Sequence, residues 1–197
     1  MKIMLPSCDE AEIILKESEP LNPGPWINHC RLVAYCAKQI AVAVGLDENK
    51  AYVCGLLHDI GRRFGVRHLG HVFDGYVYMI SLGFDEVAKI CLTHSFSNKN
   101  TDDYIGKFDT TEEEFNLIQE KLKTVNFDDY DRLIQLCDSL AGGDTIMTIE
   151  DRMNDVKNRY GFYPKSKWNK NLEIKSYFEQ KIGKDIYSVI GKFKLSS

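Results

Sequence analysis

Apolar residues recur along most of the chain at intervals of three and four positions, the spacing of one face of an α-helix. Residues that favour helix starts and glycines that favour helix ends separate these apolar stripes. The pattern predicts helices over residues 9–18, 25–44, 47–60, 68–82, 85–95, 111–124, 128–141, 148–159, 166–182 and 186–193. No alternating β-branched stretch is long enough to predict a sheet, so we expect an all-α fold.

The boundaries of these helices carry recognisable signals. The residues predicted to cap helix starts are Asp47, Asp85, Thr110 and Asp128, and the glycines predicted to end helices are Gly45, Gly61, Gly83, Gly142 and Gly161. Between the helices lie a proline-rich entry loop at 19–26 and a long polar loop at 95–111. Long loops in compact domains are often lids or binding loops, so the second loop is a candidate for substrate contact.

Composition narrows the class of protein. The 197 residues are 44% hydrophobic, which suits one domain, or one domain with an appendage. The net charge is −4 without a long basic run, which argues against a nucleic-acid surface. The six cysteines form no C-x-x-C pair, as in a reduced cytosolic protein. The start "MKIMLPSCDEAE" does not resemble a signal peptide, and no apolar run approaches the ~20 residues of a membrane span. We therefore expect a soluble, cytoplasmic protein.

Five of the predicted helices carry a histidine or an aspartate on the apolar stripe. These residues are His29, His58 with Asp59 on its flank, His71, His94 and Asp138. One such histidine alone is more often a hydrogen-bonded core residue than a ligand. Together they all need partners once buried, and a metal cation can partner imidazole and carboxylate groups at once. His68 lies three residues before His71, and we expect it at the surface.

Three segments resemble a known family. "LLHDIGR" around His58 and Asp59, "HVFDG" at His71 and "ICLTHS" at His94, with His29 before them and Asp138 after them, resemble the HD-domain metal-dependent phosphohydrolase superfamily of the HDIG type. The resemblance spans about residues 25–141 and implies an HD-domain-like helical bundle. We expect an N-terminal helix and entry loop at 1–24, the HD core at 25–145 and additional C-terminal helices packed on it at 146–197.

The resemblance implies roles for these residues. His29, His58, Asp59 and Asp138 match the metal ligands, while His71 and His94 match positions that bind a second metal or face the phosphate. Arg62 would contact phosphate, so the expected catalytic residues are Asp59, Arg62, His71 and His94. A mixed His/Asp site suits one or two divalent Fe, Mn, Ni, Co or Zn ions, which activate water. Tyr104 and Lys107 are weaker candidates for substrate contact, and Arg63 fits a solvated helix end equally well.

The expected substrate is a small phosphorylated molecule, with a nucleotide as one option. Family members that cleave cyclic dinucleotides often have a second histidine where this chain has Ser95, which disfavours that substrate. The set of six site residues is more similar to members that hydrolyse diadenosine tetraphosphate. Two alternatives remain open: a sensor that binds metal or nucleotide with little turnover, and a structural role for the histidines without metal. We expect no membrane partner, and a homodimer stays an option.

Overall fold

The computed structural model describes residues 5–191 of the chain. Its helices are α1 (Cys8–Ser18), α2 (Trp26–Val44), α3 (Glu48–Leu57), α4 (Gly70–Ser81), α5 (Asp85–Thr93), α6 (Glu112–Thr124), α7 (Asp129–Asp138), α8 (Ile149–Tyr160), α9 (Lys165–Ile182) and α10 (Ile186–Ile190). Short 3₁₀ segments lie at Glu19–Leu21, Ile60–Phe64 and Thr101–Asp103. No strand forms within the described range, which confirms the predicted all-α fold. Residues 192–193 of the last predicted helix lie outside that range.

Helix starts follow the capping chemistry of the sequence. The side chain of Asp128 accepts hydrogen bonds from the backbone N–H groups at the start of α7, as predicted. Two predicted caps are wrong by one residue. Thr111 rather than Thr110 caps α6, because Glu114 stands three residues after Thr111 and completes a reciprocal capping box. Asp85 is the first helical residue of α5 and lies in its first turn, where its charge favours the helix dipole.

Two predicted helix ends differ from the structure. Gly45 ends α2 in the left-handed conformation, as predicted, but Gly61 does not end α3. That helix ends at Leu57, and Gly61 lies inside the following 3₁₀ segment. A Cβ atom on Gly61 would lie 2.0 Å from the backbone oxygen of His71, so glycine is required there by close packing.

The helix that carries Asp138 is also shorter than predicted. It ends at Asp138, where residues 128–141 were expected to be helical throughout. After it, Met147 donates its backbone N–H to the carbonyl of Leu140 at 2.8 Å, and Gly142 donates to Thr145 at 2.8 Å. These bonds turn the chain back tightly, so the carboxylate of Asp138 stands at an open helix end instead of in a continuous helix.

Three buried clusters hold the bundle together. The largest joins α2, α3 and α7 to the C-terminal helices, through residues such as Ile40, Leu133 and Phe178. A second joins α1 to α2, α3, α4 and α5, and a third joins α4, α5 and α6 to the 95–111 loop. Five of the six cysteines are buried, and none is in a disulfide. Among the described residues, no helix is both long enough and apolar enough to cross a membrane.

Candidate metal centre

Helix ends bring the predicted polar residues together. His58 and Asp59 follow directly after α3, His94 follows directly after α5, and Asp138 is the last residue of α7. His29 and His71 lie in the first turns of α2 and α4. Helix ends leave backbone groups without helical partners, and polar side chains placed there can pair with them, as His58 and His94 do with the carbonyls of Gly55 and Cys91.

The six residues form two groups of candidate ligands. In the first, Asp138 Oδ1 lies 3.0 Å from His29 Nε2 and 3.9 Å from His58 Nε2. In the second, Asp59 Oδ1 lies 3.0 Å from His71 Nε2 and 3.4 Å from His94 Nε2. Within each group the candidate ligand atoms lie within 4.8 Å of one another.

Asp59 links the two groups. Its Oδ1 atom lies 4.0 Å from Nε2 of His58, which belongs to the first group. The two groups therefore form one continuous cluster of imidazole nitrogens and carboxylate oxygens. The cluster is buried at His58, Asp59, His71 and His94, which are 1 to 5% exposed.

The orientation of the four imidazole rings is uniform. Nδ1 of His58 lies 2.7 Å from the carbonyl oxygen of Gly55, and Nδ1 of His94 lies 2.9 Å from that of Cys91. Nδ1 of His71 contacts the carbonyl oxygen of His68, and Nδ1 of His29 lies 3.1 Å from that of Gly142. A carbonyl oxygen only accepts, so each Nδ1 carries the hydrogen and donates it. This tautomer leaves the Nε2 lone pair of every ring facing the cluster, which is the arrangement of metal-binding histidines.

Burial and local charges favour the metal-binding protonation states of His58, Asp59 and Asp138. At His29, in contrast, burial is outweighed by the carboxylate of Asp138, which raises the pKa of that ring. Burial lowers the pKa of His58 to about 4, so its ring is neutral at pH 7. Burial opposes ionisation of Asp59, but Arg62 and His71 outweigh it and hold the pKa of that carboxyl well below its usual value. For Asp138, burial is likewise outweighed by His29, and the pKa is lowered. Both aspartates are therefore carboxylates at neutral pH.

One buried atom in the cluster lacks a partner. Nε2 of His58 is buried and forms no hydrogen bond with any described residue. An unpaired buried nitrogen is costly, and a metal ion coordinated by its lone pair would satisfy it. The donor set of imidazoles and carboxylates suits a divalent transition metal better than calcium. The residues present therefore fit such an ion.

Of the two neighbouring arginines, only Arg62 belongs to the site. Its Nε donates to Asp59 Oδ2 at 2.5 Å, and its terminal amino groups form no hydrogen bond with the described residues. The Arg63 guanidinium instead lies over the Tyr78 ring, 4.2 Å from its centroid, and donates to the Tyr78 hydroxyl. Arg63 thus makes a packing contact away from the cluster.

A cavity of about 700 Å³ opens above the cluster. Tyr104 and His68 line it, whereas Lys107 does not. Its wall also includes residues that the sequence analysis did not single out, namely Trp26, Arg67, Met147, Arg152, Tyr163 and Lys167. Three of these come from α8, α9 and the segment between them. No metal-ligand spacing or motif marks them, so the sequence offered no signal for them.

The comparison with protein families decides the classification. The family model described as "HD domain" matches residues 26–143, which include all six cluster residues. The chain belongs to the HD domain family. Comparisons with curated proteins and with solved structures found no match. The helical fold and the His/Asp cluster agree with an HD domain that binds divalent metal, and helices α8 to α10 follow the matched region.

Proposed function

We propose that this HD domain protein is a metal-dependent phosphohydrolase that acts on a small phosphorylated substrate. The observation that carries the proposal is the shared orientation of the four imidazoles, whose Nε2 atoms face two carboxylates at the floor of the cavity. A purely structural histidine cluster would have no reason to leave Nε2 of His58 buried and unpaired.

The two groups of candidate ligands suggest which residues would bind each of two metal ions. His29, His58 and Asp138, with Asp59, would hold one divalent ion, and Asp59, His71 and His94 would hold a second. A divalent ion in such a site lowers the pKa of water and stabilises negative charge on phosphate oxygens. If only one ion binds, His71 and His94 would face the phosphate.

The chain itself supplies orientation and charge. Arg62 donates to one oxygen of Asp59, which leaves the other oxygen directed at His71 and His94. The free amino groups of the guanidinium form a planar fork that matches phosphate oxygens. Arg62 would therefore fix the aspartate and neutralise charge that develops on the phosphate.

Reconstitution tests the proposal. Apo-protein loaded with Mn²⁺, Fe²⁺, Co²⁺, Ni²⁺ or Zn²⁺ is assayed against p-nitrophenyl phosphate, mononucleotides, dinucleoside polyphosphates and cyclic nucleotides. We expect bound metal by elemental analysis and metal-dependent hydrolysis of at least one of these substrates, both lost in His58→Ala. Metal binding without turnover on any phosphate ester would favour the sensor alternative, and absence of metal would favour the structural one.

A further inference from the structure

Part of the cavity wall lies outside the matched HD domain and carries several cationic side chains. Residues 149–182 contribute Arg152, Arg159, Tyr163 and Lys167 to the lining. The HD region contributes two further arginines, Arg62 and Arg67. A cavity with five cationic side chains near a phosphohydrolase cluster raises the question of which of these charges are available to a substrate.

The four arginines are already paired with carboxylates. Arg62 pairs with Asp59, and Arg67 pairs with both Asp74 and Glu114. Arg152 and Arg159 share the carboxylate of Asp155, each at 3.0 Å. Arg67 is therefore balanced before any ligand arrives, Arg152 and Arg159 have one carboxylate between them, and Arg62 is paired with an aspartate that is also a candidate metal ligand.

Lys167 differs from these arginines. Among the described residues it forms no ion pair, and its one hydrogen bond runs from Nζ to the carbonyl oxygen of Ser95 at 2.8 Å. Ser95 directly follows His94, so the ammonium group lies beside the cluster. An ammonium has three N–H donors, and two of them remain free. Burial lowers the pKa of Lys167, while the nearby carboxylates of Asp138 and Asp103 act in the opposite direction.

The position of Lys167 is fixed by its neighbours. Ser166 donates its hydroxyl to Asp103 Oδ1 at 2.6 Å, and Asn98 donates to the other oxygen of Asp103 at 2.7 Å. Asp103 is 5% exposed and belongs to the 95–111 loop. The start of α9 is thus hydrogen-bonded to the 95–111 loop, which follows His94. These bonds hold Lys167 next to the cluster.

We propose that Lys167 is a substrate-binding residue and that the substrate is a phosphomonoester. This inference rests on the proposed function. Arg62 lies in the cavity with Asp59, and Lys167 lines the same cavity beside His94, where its Nζ donates to the carbonyl oxygen of Ser95. With one divalent ion bound, the carboxylates of Asp59 and Asp138 balance the charge of the ion, so Asp59 no longer balances Arg62. The two cations Arg62 and Lys167 then match a dianion. A terminal phosphate is a dianion at neutral pH, whereas a phosphodiester carries one charge, so charge complementarity selects the monoester.

The test combines a binding measurement with a pair of substrates. Metal-loaded wild type, Lys167→Gln, Lys167→Arg and the exposed, charge-matched control Lys165→Met are titrated with inorganic phosphate by calorimetry. Glutamine can still donate to the Ser95 carbonyl, so that variant removes the charge and keeps the contact. We expect Lys167→Gln to weaken phosphate binding about tenfold, Lys167→Arg to recover most of it, and Lys165→Met to match wild type, with equal metal content in all.

The substrate pair separates this inference from the proposed function. Wild type should cleave p-nitrophenyl phosphate faster than bis-p-nitrophenyl phosphate, and Lys167→Gln should reduce that preference. Unchanged phosphate affinity in Lys167→Gln, or a preference of wild type for the diester, would overturn the inference while hydrolysis itself stood. Phosphate binding without turnover of either ester or of any substrate in the reconstitution screen would refute hydrolysis alone. The absence of both phosphate binding and turnover from metal-loaded wild type would refute both proposals.

Discussion

The most discriminating prediction concerns Arg62, because its neighbour Arg63 provides a matched control. Arg62→Ala removes a guanidinium whose Nε is committed to Asp59 and whose terminal amino groups are free. Loss of one preorganised contact to developing phosphate charge costs about 2–4 kcal/mol, a rate decrease on the order of 10²–10³. Arg63→Ala removes the same charge from the adjacent position, where the side chain stacks on Tyr78 outside the cavity.

The assay is kcat/KM for the substrate found by the screen, measured on metal-loaded protein together with metal content and melting temperature. We expect the kcat/KM of Arg62→Ala to be lower than that of wild type by a factor on the order of 10²–10³, which is the effect of losing one such contact. The variant should retain its metal. Arg62→Lys should recover part of the loss, because a lysine restores the charge without the planar fork. Arg63→Ala should stay near wild type in kcat/KM.

The pH dependence of metal uptake adds a second readout. Although burial acts to raise the pKa of Asp59, Arg62 is the largest influence that lowers it. Without Arg62 that pKa rises, so metal binding that needs the ionised carboxylate is lost at a higher pH as the solution is acidified. In metal-free Arg62→Ala, the pH below which the protein no longer takes up added metal should therefore be higher than in wild type. A variant within twofold of wild type in kcat/KM would refute the role of Arg62 at the phosphate.

The remaining predictions concern metal content and packing. Asp59→Ala should lose metal and activity while its helical circular dichroism stays at the wild-type level; full metal occupancy would contradict the ligand assignment. If the site holds two ions, His71→Ala and His94→Ala should each bind about one equivalent of metal less than wild type. If it holds one ion, each variant should keep its metal and lose activity. Gly61→Ala should lower the free energy of unfolding, measured by urea denaturation, by about 1–3 kcal/mol or more. Its control Gly143→Ala, where a Cβ meets no atom within 4 Å, should be near neutral, and equal stability of the two would contradict the packing argument.

The helical architecture was predictable because the helices carry their own periodicity and several of them, such as α6 and α7, begin at a capping side chain. The ends were less predictable where tertiary contacts set them. Gly61 looked like a helix stop, but it is a glycine because the backbone of His71 lies against it. Likewise Gly142 predicted an end for α7 at residue 141, but the helix ends three residues earlier, at Asp138, because the chain after it pairs back through Leu140 and Met147.

The candidate site was predictable to a similar extent. The residues that the structure brings together are those that interrupt apolar stripes, since burying a histidine or an aspartate requires a partner. The cavity wall from α8 and α9 was not predictable. Lys167 lies at a lysine-rich helix start, and the sequence does not distinguish it from Lys165, which is exposed and does not line the cavity. Only the docking of α9 on the 95–111 loop distinguishes the two lysines.

The anchoring of the imidazole rings has a consequence for the order in which the site matures during folding. His58, His71 and His94 each donate to a carbonyl three residues earlier in the chain, so the orientation of these rings is set as soon as one local turn has formed. His29 donates to Gly142, which lies 113 residues later. A chain emerging from the ribosome can therefore orient three of its rings early, but His29 acquires its orientation only after α7 has been synthesised and the turn behind it has docked.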